Sequence, residues 1–135
     1  MALSREQVED VMDITLFTDW PASGVTEVSK AQFEEHRMHP GNVRKVILAY
    51  VTEPSWGFLT YLVDDDHDGL CFDGFSWGYG GTGCRGLMWL FDQLHWKVNP
   101  ADLPPAHEEG VWEVVPMRAV DGGWECEVSK YGGFG

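Results

Sequence analysis

The glycines of the turn at positions 78–83 are the residues most suited to chemistry. Gly78, Gly80 and Gly83 match the pattern G-x-G-x-x-G, which here lies after a predicted strand and before a predicted helix. Backbone amides at such a turn hold phosphate together with the positive end of the helix dipole. Arg85 follows in the first helical turn, where a bound anion would explain a cation that otherwise opposes the dipole. The residues of this predicted anion or small-ligand site are Gly80, Gly81, Thr82, Gly83 and Arg85.

The surrounding sequence favours a structural role for the same glycines. The preceding strands are predicted to be antiparallel, and no parallel strand follows the helix promptly, so a dinucleotide-binding fold is not expected. Asp102 has roughly the spacing of a ribose-binding acid but falls in a proline-rich connection. The structural alternative is a tight strand-to-helix reversal with Thr82 as the N-cap of the helix.

An acidic loop resembles part of a calcium-binding loop. Asp64, Asp66, Asp68 and Gly69 match D-x-D-x-D-G, but the twelfth position is Phe75 instead of a bidentate glutamate. Strands, rather than helices, are predicted on either side. We therefore predict a solvated hairpin tip without a resident metal, and incidental binding of a divalent cation is the alternative.

Other candidate catalytic and metal-ligating residues lack a supporting pattern. His36 and His39 have i, i+3 spacing without a neighbouring cysteine, and Cys84 shares the apolar stripe of the predicted helix. The chain contains no G-x-S-x-G and no H-E-x-x-H. We predict no catalytic residue and no cofactor. An enzyme whose acids and histidines assemble only in the fold is the less favoured alternative.

The charge balance is the strongest indication of a partner. Nine Lys and Arg against twenty-two Asp and Glu give a net charge of −13, which repels nucleic acid and membranes and attracts basic proteins. Three cysteines without CxxC spacing, and an N-terminus unlike a signal peptide, favour a cytoplasmic protein. The residues predicted to contact a basic partner are Asp64, Asp65, Asp66 and Asp68, or Glu125 and Glu127.

The elements that would position these residues follow from periodicity and capping signals. Ser4 and Gln7 form a predicted capping box for a helix over residues 5–14, and Ser29 with Gln32 repeats the arrangement for a short second helix. Residues 46–51, 57–63 and 70–77 predict an antiparallel meander.

The remaining sequence predicts a core helix and a hairpin. An apolar stripe formed by Leu87, Leu90, Phe91 and Leu94 predicts a buried helix after Gly83. Residues 111–120 and 124–128 predict a C-terminal β-hairpin. We therefore expect one α+β domain over residues 1–130, followed by a flexible glycine-rich tail over residues 131–135.

The segment from Phe75 to Gly83, F-S-W-G-Y-G-G-T-G, resembles a small bacterial and phage domain family of unknown function. The signature of that family is F-x-W-G-Y-G-G-[ST]-G followed by a hydrophobic helix, so the similarity covers about residues 75–95. The chain departs from it at Cys84, where the family has proline. The resemblance implies occurrence in phage or mobile elements and no particular activity.

The sequence favours an acidic inhibitor or immunity protein. Such a protein would neutralise a basic, nucleic-acid-processing defence or toxin protein by occlusion or charge mimicry, in the cytoplasm of a bacterial host. The alternative is a nucleotide or anion binder that uses the glycine turn.

Overall fold

The protein is described by a computed structural model that covers residues 2–36 and 38–134. Within these residues the fold is α+β, with three α-helices and a seven-stranded mixed sheet. The elements in chain order are α1 (Arg5–Val11), β1 (Thr15–Leu16), α2 (Thr26–His36), β2 (Lys45–Val51), β3 (Gly57–Val63), β4 (Asp68–Phe72), α3 (Thr82–Gln93), β5 (Trp96–Lys97), β6 (Gly110–Val120) and β7 (Gly123–Lys130).

The sheet has the strand order β1-β4-β3-β2-β6-β7-β5. The predicted antiparallel meander of β2, β3 and β4 is confirmed, and so is the hairpin of β6 and β7. Pairing of β6 with β2 joins the meander to the hairpin. The short strands β1 and β5 pair in parallel with β4 and β7, which makes the sheet mixed.

Both faces of the sheet are covered near its centre, which explains the continuous apolar sequence of β2. Val46, Leu48 and Tyr50 belong to an aromatic-rich core that also contains buried residues of α2 and α3. Ile47 and Ala49, on the opposite face, belong to a smaller core that also contains Val8 of α1. Alternation along one strand therefore supplies two cores.

The first two helices differ in how well capping signals predicted them. The capping box of Ser4 and Gln7 is present, although α1 ends at Val11 rather than residue 14. The second prediction was wrong about the start, because α2 begins at Thr26, one turn before Ser29. Ser29 lies buried inside the helix, where its hydroxyl accepts a hydrogen bond from a distant amide instead of capping α2.

The strand predicted over residues 70–77 ends at Phe72, and the chain then runs without regular structure to α3. Phe75 and Trp77 are nevertheless fully buried in the aromatic core. The predicted apolar stripe of α3 is confirmed. Its N-cap is Gly81 without a side-chain cap, so the prediction of Thr82 as N-cap was wrong.

No helix among the described residues is long and apolar enough to cross a membrane.

Near the C-terminus, the Tyr131 amide donates to the Val111 carbonyl at 2.8 Å, and the Tyr131 side chain packs on the smaller core. Gly135, the last residue of the predicted flexible tail, lies outside the described residues.

Candidate functional site

A groove of about 580 Å³ opens at the end of the sheet where β3 and the chain leaving β4 separate. One wall is formed by the turn before β3 and its first residues, 53–59. The other wall is formed by residues 73–76, with Tyr79 and Gly83 from the glycine turn. The groove therefore lies between the turn that joins β2 to β3 and the predicted ligand turn.

The edge of β3 is unpaired inside this groove. The ladder between β3 and β4 ends at Thr60 and Phe72, so no described strand pairs with residues 57–59 on that side. Backbone groups alternate between the two neighbours of a strand. The Val63 carbonyl accepts from Arg44 on the β2 side, and the Asp64 amide donates to the Asp68 carbonyl on the β4 side. By this alternation the amide and carbonyl of Phe58 face the groove.

Gly74 would face Phe58 if the ladder continued, but its backbone groups bond to α2 instead. The Gly74 amide donates to Ser29 Oγ at 2.9 Å, and the Gly74 carbonyl accepts from Thr26 Oγ1 at 2.7 Å. A Cβ at Gly74 would lie 2.2 Å from the Val25 carbonyl oxygen, so only glycine permits this approach. The two hydroxyls of α2 hold the chain away from β3.

Aromatic rings line the mouth of the groove. Trp56 is 65% exposed and Tyr79 is 49% exposed. The Trp56 ring stacks on Tyr50 with ring centroids 6.5 Å apart, and the Tyr79 ring stacks on His107 at 6.0 Å. His107 Nδ1 lies 3.1 Å from the Tyr50 hydroxyl and ties the two stacks together. Two exposed aromatic side chains are therefore held in place by contacts with their neighbours.

Three charged side chains reach the groove. Arg5 Nε lies 2.7 Å from Glu9 Oε2, so a carboxylate neutralises this cation within the molecule. Asp73 accepts from the amide and the hydroxyl of Ser23, and Glu53 is exposed in the turn before β3. The groove therefore presents two carboxylates beside its aromatic rings.

The Glu9 carboxylate is also bonded in the smaller core. Tyr61 Oη donates to Glu9 Oε2 at 2.9 Å. Burial, together with the nearby Cys71 and Glu9, raises the pKa of Tyr61 far above its ordinary value. Burial likewise raises the pKa of Cys71 to about 12. These residues keep their protons at neutral pH, which fits a structural role better than catalysis.

The residues of the predicted anion site are brought to one place but are only partly inside the groove. Gly83 lines it, whereas Gly80, Thr82 and Arg85 are exposed at the start of α3. Gly81 has φ +154°, and Arg85 Nη2 lies 3.4 Å from Thr82 Oγ1. Anion binding here stays a prediction.

The outer glycines of the turn are required for packing. Gly78 has φ +87°, and a Cβ there would lie 2.2 Å from the Ala106 amide nitrogen. A Cβ at Gly83 would meet Ser76 Oγ at the same distance, whereas Gly80 has open space around it. The tight reversal accounts for Gly78 and Gly83 but not for Gly80.

The predicted acidic loop forms a surface with the end of α1. The Thr15 amide donates to the His67 carbonyl at 2.9 Å, and His67 Nδ1 lies 3.4 Å from the Met12 carbonyl oxygen. The carboxylates of this surface, the acidic ridge, are Asp10, Asp13, Asp64, Asp65, Asp66 and Asp68. Arg44 pairs with Asp65.

The second predicted acidic patch lies elsewhere. Glu125 and Glu127 are on β7, four strand positions from β4, or about 19 Å at the usual strand spacing. Glu125 also pairs with Arg118. The two predicted contact sets are therefore separate surfaces.

A cation has one candidate cluster among the described residues. Carboxylate oxygens of Asp64, Asp66 and Asp68 lie within 4.8 Å of one another. Asp64 Oδ1 already accepts from the amides of Asp66 and Asp68, as in a hairpin tip closed by its own side chain. The predicted hairpin tip accounts for this arrangement.

The remaining candidates have local structural roles. His39 Nδ1 accepts from the Gly41 amide at 3.0 Å, and His36 stacks on Phe17 with ring centroids 6.2 Å apart. The half-buried thiol of Cys84 donates to the Tyr79 carbonyl. Among the described residues, none of these three side chains belongs to a cluster of three or more possible metal ligands.

The groove residues Glu53, Trp56, Phe58, Asp73 and Tyr79 were not predicted as a site. Trp56 beside the turn Glu53-Pro54-Ser55 was the one available signal, since a large aromatic residue next to a turn is often exposed. The free edge of β3 had no signal in the sequence, because it depends on where β4 ends.

No family model, no curated protein and no solved structure matches this chain. The resemblance over residues 75–95 stays a prediction.

Proposed function

We propose that this single α+β domain is a binding protein that neutralises a basic, nucleic-acid-processing partner by occlusion. The observation that carries the proposal is the acidic ridge, in which hydrogen bonds join the end of α1 to the acidic hairpin tip. A ridge of carboxylates resembles a row of phosphates to a basic protein, so the contact doubles as charge mimicry.

The pairing of the basic side chains supports this proposal. At least five of the nine Lys and Arg side chains form ion pairs with carboxylates of the same chain. Their positive charge is offset locally, and sixteen of the twenty-two Asp and Glu residues are exposed. Such a surface accelerates association with a basic partner, and the association slows as salt screens the charges. Resemblance to a phage family over residues 75–95 is consistent with an inhibitor or immunity protein.

The test begins with a purified partner captured from a bacterial host lysate at low salt. We expect a complex of fixed stoichiometry, measured by analytical ultracentrifugation, whose association rate falls as salt is raised. The variant Asp65→Asn/Asp66→Asn/Asp68→Asn should lower that rate by about tenfold at low salt. Asparagine keeps the shape of each side chain and removes only its charge.

The matched control removes the same charge elsewhere, with Glu35→Gln/Asp92→Asn/Asp102→Asn, three exposed carboxylates outside the acidic ridge. Equal losses in both triple variants would reject the ridge as the contact surface. A larger loss in Glu125→Gln/Glu127→Gln would move the contact to β7. Absence of any salt-sensitive complex would reject the proposed function.

Anion binding at the start of α3 is the second proposal. It is favoured by the first turn of α3, which contains Arg85 and no acidic residue. Thermal-shift measurements with nucleotides test it: stabilisation that disappears in Arg85→Ala supports binding there, and stabilisation that persists rejects it.

A further inference from the structure

We propose that the groove binds an extended segment of the basic partner as an added β-strand, with a lysine or arginine side chain of that segment against Trp56 and Tyr79. This inference rests on the proposed function and names the part of the partner that the groove recognises.

The backbone of β3 supplies the first half of the recognition. The amide and carbonyl of Phe58 face the groove, in the position where β4 would otherwise continue. A buried residue with backbone groups on an open strand edge offers one donor and one acceptor to an extended chain. Since residues 57–59 are the part of β3 without a neighbouring described strand on this side, the added strand is a segment of about three residues.

The side chains supply the second half. Trp56 and Tyr79 are 65% and 49% exposed, and accessible aromatic rings attract a cation through the ring quadrupole. Glu53 and Asp73 lie in the same groove and add negative charge. Arg5 also lines the groove, but Glu9 neutralises it at 2.7 Å. The charge of the groove therefore complements a basic segment rather than an acidic one.

The groove is continuous with the acidic ridge through α1. Arg5 at the start of α1 lines the groove, and the last turn of α1 leads to the ridge. The seven residues of α1 span about 10 Å, so one partner can reach both surfaces.

The test uses a defined probe, an acetylated and amidated hexapeptide of alternating lysine and valine, titrated into the full chain. We expect saturable binding by isothermal titration calorimetry. We also expect the Phe58 amide to exchange with solvent at least about tenfold more slowly in the complex, because the added strand bonds to it. The same peptide methylated at every backbone amide should lose this protection and bind more weakly.

Two matched changes separate the aromatic contact from general stickiness. Trp56→Ala should weaken binding of the peptide by about fivefold, whereas Trp124→Ala removes a 45% exposed tryptophan on β7 and should change nothing. Trp56→Leu keeps apolar bulk without a ring, so it should behave like Trp56→Ala. Replacing lysine by glutamate in the peptide should abolish binding.

Equal binding of the methylated peptide, or equal losses in Trp56→Ala and Trp124→Ala, would overturn strand addition at this groove. A lysine–valine peptide that fails to bind would overturn it as well. These failures differ from failure of the proposed function, since a partner complex that still depends on the acidic ridge would leave that function standing.

Discussion

Two of the unpaired strand edges among the described residues differ in the side chains that they carry. Beyond Glu125, β7 has no described strand on its outer side, and its exposed residues include Glu127, Ser129 and Lys130. Charged side chains along an edge prevent pairing with other chains. The edge of β3 in the groove carries Gly57, Phe58 and Leu59, which bring no charge of their own.

The difference indicates which edge is available for recognition. The outer edge of β7 is long and protected by charge. The edge of β3 is short and recessed between two walls, so a flat sheet of another molecule has no access to it. An extended segment of a few residues can reach this edge.

The largest effect should come from breaking the wall of the groove with Gly74→Ala. The new Cβ would lie 2.2 Å from the Val25 carbonyl oxygen, and we expect a loss of about 1–3 kcal/mol in the free energy of unfolding. Urea denaturation measures it. Gly80→Ala is the control, because nothing lies within 4 Å of its Cβ, and it should stay within about 0.5 kcal/mol. Similar losses in the two variants would contradict the role given to Gly74.

A smaller change in stability, below about 1 kcal/mol, is expected from Glu125→Val/Glu127→Val. This variant removes two charged side chains of β7 and leaves Lys130, and we expect self-association that the native chain does not show at the same concentration. Sedimentation velocity measures it. Asp102→Val/Glu108→Val removes two exposed carboxylates outside the strands and should sediment like the native chain. Association of this control would mean that net charge, rather than the edge, prevents pairing.

The smallest effect concerns Glu109, which ties the N-terminal segment to the β2–β3 turn at the groove. Hydrogen bonds from the Thr52 hydroxyl and from the Leu3 amide lower the pKa of Glu109 from its ordinary value of 4.5. A carboxyl with a lowered pKa stabilises the fold above its unfolded pKa, and this stability is lost as pH falls through the folded pKa. We therefore expect Glu109→Gln to lower the melting temperature at neutral pH.

The difference between this variant and the native chain should shrink at acidic pH, below the folded pKa of Glu109, because the native carboxyl is then protonated as well. Circular dichroism at both pH values measures the difference. Glu108→Gln, an exposed neighbour, should melt like the native chain throughout. A deficit of Glu109→Gln that is independent of pH would show that shape, not charge, matters at this position.

Local signals in the sequence predicted most of the fold. The capping box at Ser4, the apolar runs of β2 and β3, and the C-terminal hairpin each depend on neighbours in the chain, and each prediction is confirmed. The start of α2 was mispredicted because Ser29 has the residue type of an N-cap. Its hydroxyl instead accepts a hydrogen bond from the Gly74 amide, forty-five residues away, and no local pattern indicates that contact.

The acidic ridge and the groove also differed in how far the sequence predicted them. The hairpin tip was visible in the sequence as four clustered aspartates, although its junction with α1 was not. The groove has no sequence pattern, because it exists where a strand stops pairing. Phe75 and Trp77 extended the predicted third strand to residue 77, since aromatic residues favour strands, but they are buried in an irregular segment.

The hydrogen bonds between Gly74 and the hydroxyls of Thr26 and Ser29 have a consequence for affinity. Residues 73–76 directly follow β4, so they could pair with β3 beside Phe58 in place of a ligand. Because they belong to the same chain, their effective concentration there exceeds that of most free ligands. Two hydroxyls on α2 keep these residues away from β3. The affinity of the groove for another chain therefore depends on α2, because the hydroxyls of this helix bond to Gly74 and not to the incoming strand.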